Sequence, residues 1–265
     1  MANTTTAQAE YENEPETDNE PDIMELLRAD AARSERDSGV SDAPEDNLVP
    51  FIYILQSNSP QAQKKHEAYL EGAEPGSIWL RNASIPIISG DEGLIFQPCH
   101  FFKNYVEFVP RDSGGGFQGA YTELPDDTVV ETMDNNQKKW IRPTNGTELI
   151  EYRYHAGLVH LDNQRLPYII PFKSTGHTVS KNWMSALRKP FPDGSGRSRS
   201  YHSKYLLTTV HRTNKKGQWF QFKIEDRGWI DRPADLAMAY NFQQLLLSGQ
   251  RQADMPLLEH HDEEE

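Results

Sequence analysis

The sequence predicts a mainly β fold with two accessory α-helices and two acid-rich ends. Three observations support this fold class. Short β-type runs follow one another at close spacing, only two stretches show helical spacing, and the acidic residues collect at both ends of the 265-residue chain. Many short strands separated by turn residues are typical of a barrel or a sandwich-like core rather than of alternating β and α units.

Charge and composition divide the chain into three parts. Residues 1–50 carry 3 arginines and 14 acids, a balance of 3 − 14 = −11 within a total net charge of −13. Residues 1–47 are also poor in aromatic side chains, so we expect them to be a disordered acidic segment. A single β-rich domain is expected at residues 48–250, followed by a disordered acidic tail at residues 251–265.

A short amphipathic pattern interrupts the N-terminal part. Asp22 is a candidate helix cap, and Glu25 follows three residues later as in a capping box. Ile23, Leu26 and Leu27 form an apolar stripe. The pattern predicts a docking helix at residues 22–33, either for a partner or for the protein's own domain.

The predicted strands begin with an apolar run at residues 48–55. Further β-type runs lie at residues 77–81, 85–89, 94–97, 100–109, 128–133, 139–142, 148–154, 158–161 and 166–172. Gly90 and Gly93 enclose a turn that predicts a hairpin between the runs at 85–89 and 94–97.

Two stretches show helical spacing. In residues 178–189, Val179, Trp183 and Leu187 form one stripe, and Pro190 ends the helix, so Trp183 is expected in the core rather than on a binding surface. Residues 233–248 begin with Pro233 and end before Gly249. We expect this second helix to pack across the β core.

Residues 173–232 have a net positive charge within an otherwise acidic chain. They contain 13 Lys and Arg against 4 Asp and Glu, a balance of 13 − 4 = +9, with eight aromatic residues interleaved and Phe172 directly before them. Cations that follow a phosphate backbone, together with flat rings that stack on unpaired bases, are typical of a single-stranded nucleic acid groove. The alternative is an ordinary hairpin with a wet basic face and aromatic residues in the core.

The candidate binding residues lie mostly on a predicted hairpin of residues 203–210 and 218–224. Alternation places Trp219 beside Lys223 on the face away from the core, which is typical of a base-stacking platform. Tyr205 and Trp219 are the predicted stacking residues. A mobile Gly/Ser-rich loop is predicted at residues 191–200. It either closes over a bound strand of nucleic acid or is a solvated connection. The predicted cations are Lys173, Arg197, Arg199, Lys204, Arg212, Lys215, Lys216 and Lys223.

No motif identifies an enzyme. Residues 114–116 are glycines but lack the Lys and Ser/Thr of a phosphate-binding loop, and Cys99 lies in no nucleophile motif and is expected to be buried. We expect no catalytic residue, no metal site and no cofactor, although a metal-dependent nuclease stays open as an alternative. The sequence shows no export signal or membrane span, and the single cysteine fits a reducing cytoplasm.

Several motifs together resemble single-stranded DNA-binding proteins encoded by tailed bacteriophages. They are Leu55-Gln56 with Ser59-Pro60-Gln61, residues 105–111 with the glycines at 114–116, the helix around Trp183, and the hairpin from Tyr205 to Lys223. The resemblance implies an OB-like core that covers single-stranded DNA during phage replication and recombination, without reading its sequence, in the host cytoplasm.

The resemblance also implies a role for the acidic C-terminal tail. Such a tail competes for the cationic groove until DNA displaces it, or binds replication or transcription proteins. The residues concerned are Leu257, Leu258, Asp262, Glu263, Glu264 and Glu265. This tail lacks the final apolar or aromatic residue of related tails, for which the two leucines are the candidate substitutes. The alternative function is a phage protein that binds a host polymerase or defence factor through its acidic segments, without binding DNA.

Overall fold

The computed structural model describes residues 48–132, 138–215, 217–249 and 252–253. The predictions for residues 1–47, for Lys216 and for residues 254–265 of the acidic tail lie outside these residues. Gln252–Ala253, which were predicted to belong to the disordered tail of residues 251–265, form a strand paired with Leu48–Val49. The strands are β1 (Leu48–Val49), β2 (Ile52–Ile54), β3 (Ile78–Leu80), β4 (Ile87–Ile88), β5 (Leu94–Phe108), β6 (Phe117–Tyr121), β7 (Val129–Thr132), β8 (Lys138–Arg142), β9 (Thr147–Leu161), β10 (Gln164–Phe172), β11 (Ser203–Asn214), β12 (Gly217–Trp229) and β13 (Gln252–Ala253). The helices are α1 (Gly176–Ala186) and α2 (Pro233–Leu247).

The main sheet has eight strands and curls into a half-barrel. Its two central strands, β5 and β9, pair antiparallel from Ile95↔His160 to Phe108↔Glu148. The outer neighbour of β5 changes along its length from β11 to β6, and that of β9 changes from β8 to β10. Two long strands that exchange neighbours in this way bend the sheet. The predicted mainly β fold with a barrel-like core and two helices is confirmed.

Both central strands were predicted as two shorter runs. The β5 strand continues through Cys99 because a bulge between Pro98 and His100 absorbs the extra residue. Gly157 lies within β9, where a Cβ atom would come within 2.3 Å of the Gln97 carbonyl oxygen. The glycine therefore marks a close approach of two backbones rather than a strand end.

The predicted hairpin around Gly90 and Gly93 is wrong. The Gly93 N–H does donate to the Ser89 carbonyl at 2.9 Å, so the chain turns there. The flanking strands belong to different sheets, however, because β4 pairs with β3 in a small sheet of order β2-β3-β4 and β5 pairs with β9. The turn carries the chain from one sheet to the other.

Two apolar clusters form the core. One joins the main sheet to α1 and the small sheet, and it contains Trp183, which is 3% exposed as the helical stripe predicted. The other includes Ala239 and Phe242 of α2, which packs across β5 and β9. Within the described residues, no helix is long and apolar enough to cross a membrane.

Candidate nucleic-acid interface

Strands β11 and β12 form the predicted hairpin, with paired residues from Tyr205↔Asp226 to Asn214↔Gly217. Arg212 lies opposite Trp219, and Thr208 lies opposite Lys223, so these residues share the outer face. The amide of Gln56 pairs with the backbone of Phe220 in both directions, donating at 3.0 Å and accepting at 2.8 Å. Gln56 thus imitates a neighbouring strand residue and blocks further pairing of β12 there.

The predicted cations of the hairpin do not converge on one place. Arg212 and Lys215 are exposed at the tip, whereas Lys204 lies at the base and is half-buried. Arg212 lies eight positions after Lys204 along β11, which corresponds to roughly 27 Å of strand. Lys223 lies between them and pairs with Glu225 at 2.6 Å.

The two predicted stacking residues differ in accessibility. Tyr205 is 1% exposed, and its hydroxyl donates to the Ala186 carbonyl at 3.2 Å. Burial raises the pKa of Tyr205 to about 12. A ring enclosed in this way cannot stack on a base, so the prediction for Tyr205 is wrong, and the residue belongs to the core. Trp219 is half-buried at the tip.

A bulge near the end of β12 aims Trp229 to the other side of the sheet. Between Tyr205↔Asp226 and Ser203↔Trp229, β12 uses one residue more than β11. Gly228 accommodates this irregularity with a φ of +86°, and its N–H donates to Asp226 Oδ1 at 2.7 Å. Trp229 therefore faces the same side as Tyr205 and Asp226, opposite to Trp219.

Trp229 lines a groove at the base of the hairpin with a volume of about 310 Å³, which we call the aromatic groove. The rings of Phe191 and Trp229 are stacked, with centroids 5.6 Å apart and planes within 17°. His202 lies beside Phe191 with a centroid distance of 6.0 Å. The opposite wall comes from the chain entering α2, with the lining residues Ile230, Asp231, Arg232, Pro233 and Leu236.

Three cations lie in the lining of the aromatic groove or contact its lining residues. The Lys189 ammonium lies 5.2 Å from the ring centroid of Trp229 and forms an ion pair with Asp226. Burial opposes the ionisation of Asp226, but its hydrogen bonds with Lys189 and Gly228 lower its pKa. Lys204 forms an ion pair of 2.9 Å with the groove residue Asp231, and Arg232 is exposed in the lining itself.

The Gly/Ser-rich loop supplies one wall of the groove. Pro190 and Arg197 form an isolated β-bridge that closes the loop, and the exposed Arg197 guanidinium donates to the Arg188 carbonyl at 3.1 Å. The Arg199 N–H donates to His202 Nδ1 at 3.4 Å. Burial lowers the pKa of His202, and the positive charge of the nearby Arg199 lowers it further. At neutral pH this side chain therefore presents an uncharged ring.

Some predicted residues belong to this site and others do not. Lys204 reaches the groove through Asp231, and Arg197 and Arg199 lie in the loop that forms its wall. Lys173 is half-buried in the turn before α1, where its carbonyl accepts the Gly176 N–H at 2.8 Å. Sequence reasoning missed Phe191, Trp229 and Arg232 as site residues. The available sequence signal was Asp226 two residues before Gly228, because an Asp side chain that accepts the Gly N–H forms a turn and changes the direction of the next side chain, Trp229.

A second polar cluster, which we call the Glu107 network, lies where β5, β6, β8 and β9 meet. Glu107 is 2% exposed and accepts hydrogen bonds from Tyr121 at 2.6 Å, Asn145 at 2.9 Å, Arg142 at 3.1 Å and Thr147. Arg142 also donates to Asp127 at 2.9 Å, and Thr144 donates to the same carboxylate. Burial opposes the ionisation of Glu107, but hydrogen bonds from Thr147, Tyr121, Asn145 and Arg142 outweigh it and lower its pKa to about 2.

Two further side chains with reactive groups, Cys99 and His155, are buried. Cys99 is fully buried, as predicted, and burial raises the pKa of its thiol. His155 is hydrogen-bonded to Ser180 at 2.8 Å, but both residues have no exposed surface, and burial lowers the pKa of His155 to about 3. Throughout the part of the chain that the structure describes, no three His, Cys, Asp or Glu side chains are placed to hold a metal ion.

Comparison with known families assigns the chain. The profile of the family described as Pam3 phage gp34-like protein matches residues 21–252. The chain belongs to this family. A gp34-like protein is a bacteriophage protein, so the phage origin implied by the sequence resemblance is confirmed, while DNA binding stays a prediction. The matched region contains both the aromatic groove and the Glu107 network, and it leaves out residues 1–20 and 253–265.

No curated protein and no solved structure matches the chain.

Proposed function

We propose that this gp34-like protein binds single-stranded DNA without reading its sequence and covers the strand that is exposed when phage DNA is replicated or recombined. One observation carries the proposal: the stacked rings of Phe191 and Trp229 border an open groove that Arg232 also lines, with Lys189 over the Trp229 ring and Lys204 paired to the lining residue Asp231. Aromatic rings beside cations are the combination that binds unpaired, stacked nucleotides.

The chemistry of the groove favours an unpaired strand. A base in a duplex already stacks on its neighbours, whereas a splayed base offers a flat face to a ring. The walls contributed by Trp229, Phe191, Pro233 and Leu236 are apolar or aromatic. Stacking on such walls tolerates every base, because each base has a π-face. Binding of this kind does not discriminate between sequences.

The cations around the groove take the phosphates. Lys189 and Lys204 each hold one carboxylate partner, which leaves part of their hydrogen-bonding capacity for a phosphate oxygen. Each phosphate neutralised contributes a slope of about −0.7 to the dependence of log affinity on log salt. Binding therefore weakens steeply as salt rises.

The acidic C-terminal tail competes with DNA in this proposal. Residues 254–265 carry six acids and no Lys or Arg. Twelve residues span at most roughly 40 Å when extended. A polyanion tethered to the same chain reaches a high effective concentration at a cationic surface, so in this proposal it lowers the apparent affinity for DNA. Removing the tail is expected to tighten binding.

The experiment is fluorescence anisotropy of a labelled oligo-dT against a duplex of equal length, at low and moderate salt. Full-length protein and protein ending at residue 253 are compared, and an oligo-rU strand tests DNA against RNA. We expect a strong preference for the single strand, a steep salt dependence and tighter binding without the tail. Binding that is independent of salt, or equal for strand and duplex, would contradict the proposal.

A failed DNA experiment directs attention to the acidic ends. If neither form of the protein binds the oligonucleotides, the groove model is wrong. The function would then be sought in a protein partner, such as a host polymerase or defence factor, that recognises residues 1–47 or 254–265.

A further inference from the structure

The far end of the β11–β12 hairpin extends beyond the main sheet as a two-stranded ribbon. Strand β5 pairs with β11 only from Tyr205 to Leu207. Strands β11 and β12 stay paired with each other as far as Asn214↔Gly217. In the part of the chain that the structure describes, residues 208–214 of β11 therefore have β12 as their only strand neighbour. These seven residues extend roughly 24 Å.

Contacts with other segments fix the direction of the ribbon near its base. The Thr209 N–H donates to the Gly90 carbonyl at 2.9 Å. On the partner strand, the Gln56 amide pairs with the backbone of Phe220. Beyond these two contacts lie residues 210–215 and 217–219, which we call the ribbon tip.

The ribbon tip is cationic and polar. Residues 206–224 contain four Lys and Arg residues and no Asp or Glu. The described residues between 211 and 218 are all exposed, and they include Arg212 and Lys215. The indole of the tip, Trp219, is half-buried, whereas Trp229 in the aromatic groove is exposed. The tip therefore offers cations and hydrogen-bonding groups rather than an open ring.

We propose that the ribbon tip contacts double-stranded DNA beside the single strand in the aromatic groove, so that the protein binds a junction between the two. The junction rests on the proposed function, whereas the contact with the duplex does not. Bases in a duplex already stack on one another, so a surface for paired DNA needs cations for the phosphates rather than rings. The aromatic groove and the ribbon tip divide these two chemistries between them.

The dimensions of the ribbon tip fit a groove of the duplex. The major groove of B-DNA is about 12 Å wide and about 8.5 Å deep, and it admits a two-stranded β-ribbon. Asn214 lies five positions after Thr209, which corresponds to roughly 17 Å of strand. The tip is thus long enough to enter the groove, and its exposed Arg212 and Lys215 are available to the phosphates on either side.

The spacing of the two sites suits one DNA molecule. Arg212 lies roughly 27 Å of strand from Lys204, the cation that pairs with a residue of the aromatic groove. A duplex rises about 3.4 Å per base pair, so about eight base pairs cover that distance. A strand held in the groove presents its adjoining duplex to the tip at a high effective concentration, so a junction binds more tightly than either part alone.

Fluorescence anisotropy with three labelled DNAs tests the duplex contact on the full-length protein. The DNAs are oligo-dT, a duplex of about 20 base pairs, which is roughly 68 Å long, and the same duplex with the oligo-dT as an overhang at either end. We expect the duplex with its overhang to bind about tenfold more tightly than oligo-dT alone.

The double variant Arg212→Ala/Lys215→Ala should remove this gain and leave the affinity for oligo-dT unchanged. For the duplex with its overhang, the slope of log affinity against log salt should become shallower by about 1.8, which is about 0.9 for each of two duplex phosphates. The control Lys103→Ala/Lys139→Ala removes the same charge from β5 and β8 and should keep the gain. Both substituted tip residues are exposed, and thermal melts verify that the variant stays folded.

The outcomes separate this proposal from the proposed function. Overhang DNA that binds no more tightly than oligo-dT, or a gain that persists in the tip variant, would overturn the duplex contact and leave the groove model intact. An equal loss for oligo-dT and overhang DNA would assign the tip to the single-strand site and also overturn it. Duplex binding that depends on the tip, without any binding of oligo-dT, would refute the groove model and support the duplex contact.

Discussion

The Glu107 network and the aromatic groove are both clusters of charged and aromatic side chains, but their charges are satisfied differently. Glu107 is 2% exposed and receives hydrogen bonds from four side chains, and Arg142 spans two carboxylates. In the groove, Lys189 and Lys204 each contact a single carboxylate, Arg232 is exposed, and Trp229 is 36% exposed.

The difference separates a structural cluster from the cluster that we propose binds DNA. A charge that is enclosed and fully hydrogen-bonded stabilises the fold, and it has no capacity left for a ligand. Cations with spare donors beside accessible rings still gain free energy from an added anion and an added base. The contacts of Glu107 with Tyr121, Arg142 and Thr147 indicate that the network fastens β6 and β8 to the central strands.

The largest expected effect is on stability. Replacing Glu107 by Gln removes the negative charge that four donors surround, and we expect the free energy of unfolding to fall by about 3 kcal/mol. Oligo-dT affinity of the folded protein should not change. Urea denaturation measures the first quantity. The control Glu148→Gln breaks the exposed Lys139–Glu148 pair and should cost less than about 1 kcal/mol. Equal losses in both variants would show that the network has no special role.

The same network predicts a dependence of stability on pH. The pKa of Glu107 is about 2 in the fold, below its usual value of 4.5, so the unfolded chain binds its proton first as pH falls. The stabilisation is present above pH 4.5 and is lost between about pH 4.5 and pH 2. The urea midpoint of the wild-type protein should therefore decrease as pH is lowered from about 4.5 to 2. Over the same range, the difference in free energy of unfolding between the wild type and Glu107→Gln should become smaller. A constant difference down to pH 2 would contradict the role of ionised Glu107.

The second effect is on binding at the groove. Trp229→Ala should weaken oligo-dT binding by about 1–3 kcal/mol, the contribution of one stacked base, without a comparable loss of stability. Trp229→Phe retains a ring and should recover most of the affinity. The half-buried Trp140 of β8 provides a matched control, because Trp140→Ala removes an indole far from the groove along the sheet order. Anisotropy titrations measure the oligo-dT affinity of all three variants. An equal loss of affinity in Trp140→Ala would contradict the assignment of the binding site to the aromatic groove.

The bulge provides a sharper test of how Trp229 is placed. Gly228 and Gly146 both have positive φ angles, +86° and +70°, and a Cβ atom at either position meets nothing within 4 Å. Alanine at each should therefore cost about 1–2 kcal/mol of stability through backbone strain alone. Only Gly228→Ala should also weaken oligo-dT binding, because only that strain shifts Trp229. Thermal melts measure the loss of stability, and anisotropy measures oligo-dT affinity. Unchanged affinity of Gly228→Ala would contradict the claim that the bulge positions Trp229 for binding.

The smallest effect concerns one cation. Lys189→Ala removes a proposed phosphate ligand beside Trp229, so the slope of log affinity against log salt should become shallower by about 0.7. Lys139→Ala removes a lysine of a comparable ion pair from β8 and should leave the slope unchanged. Titrations at four salt concentrations measure the slope. Identical slopes for the wild type and Lys189→Ala would exclude this lysine from phosphate binding.

Local patterns predicted the elements well because they depend on neighbours in sequence. Alternation predicted the β11–β12 hairpin, and helical spacing predicted that Trp183 is buried. The same alternation contained the correct answer for Tyr205, because Ser203, Tyr205, Leu207 and Thr209 share one face and all four are buried. Choosing Tyr205 for its aromatic ring overrode a periodicity that already placed it inside.

The site itself depends on contacts that local patterns do not contain. Trp229 joins the groove because one bulge reverses its side of the sheet, and Phe191 reaches it from a loop closed by a bridge between Pro190 and Arg197. The partner changes along β5 and β9 are likewise properties of the assembled sheet. Charge counting located the basic stretch of residues 173–232, but the fold determines which of its cations meet an accessible ring.

The most direct measurement is photo-crosslinking of full-length protein to an oligonucleotide in which thymines are replaced by 5-bromouracil, followed by mass spectrometry of the crosslinked peptides. A base stacked in the aromatic groove predicts crosslinks at Trp229, Phe191 or His202, which disappear at high salt and in Trp229→Ala. Crosslinks confined to Trp219 at the hairpin tip, or no crosslinks above those of Trp229→Ala, would contradict the claim that the groove binds single-stranded DNA.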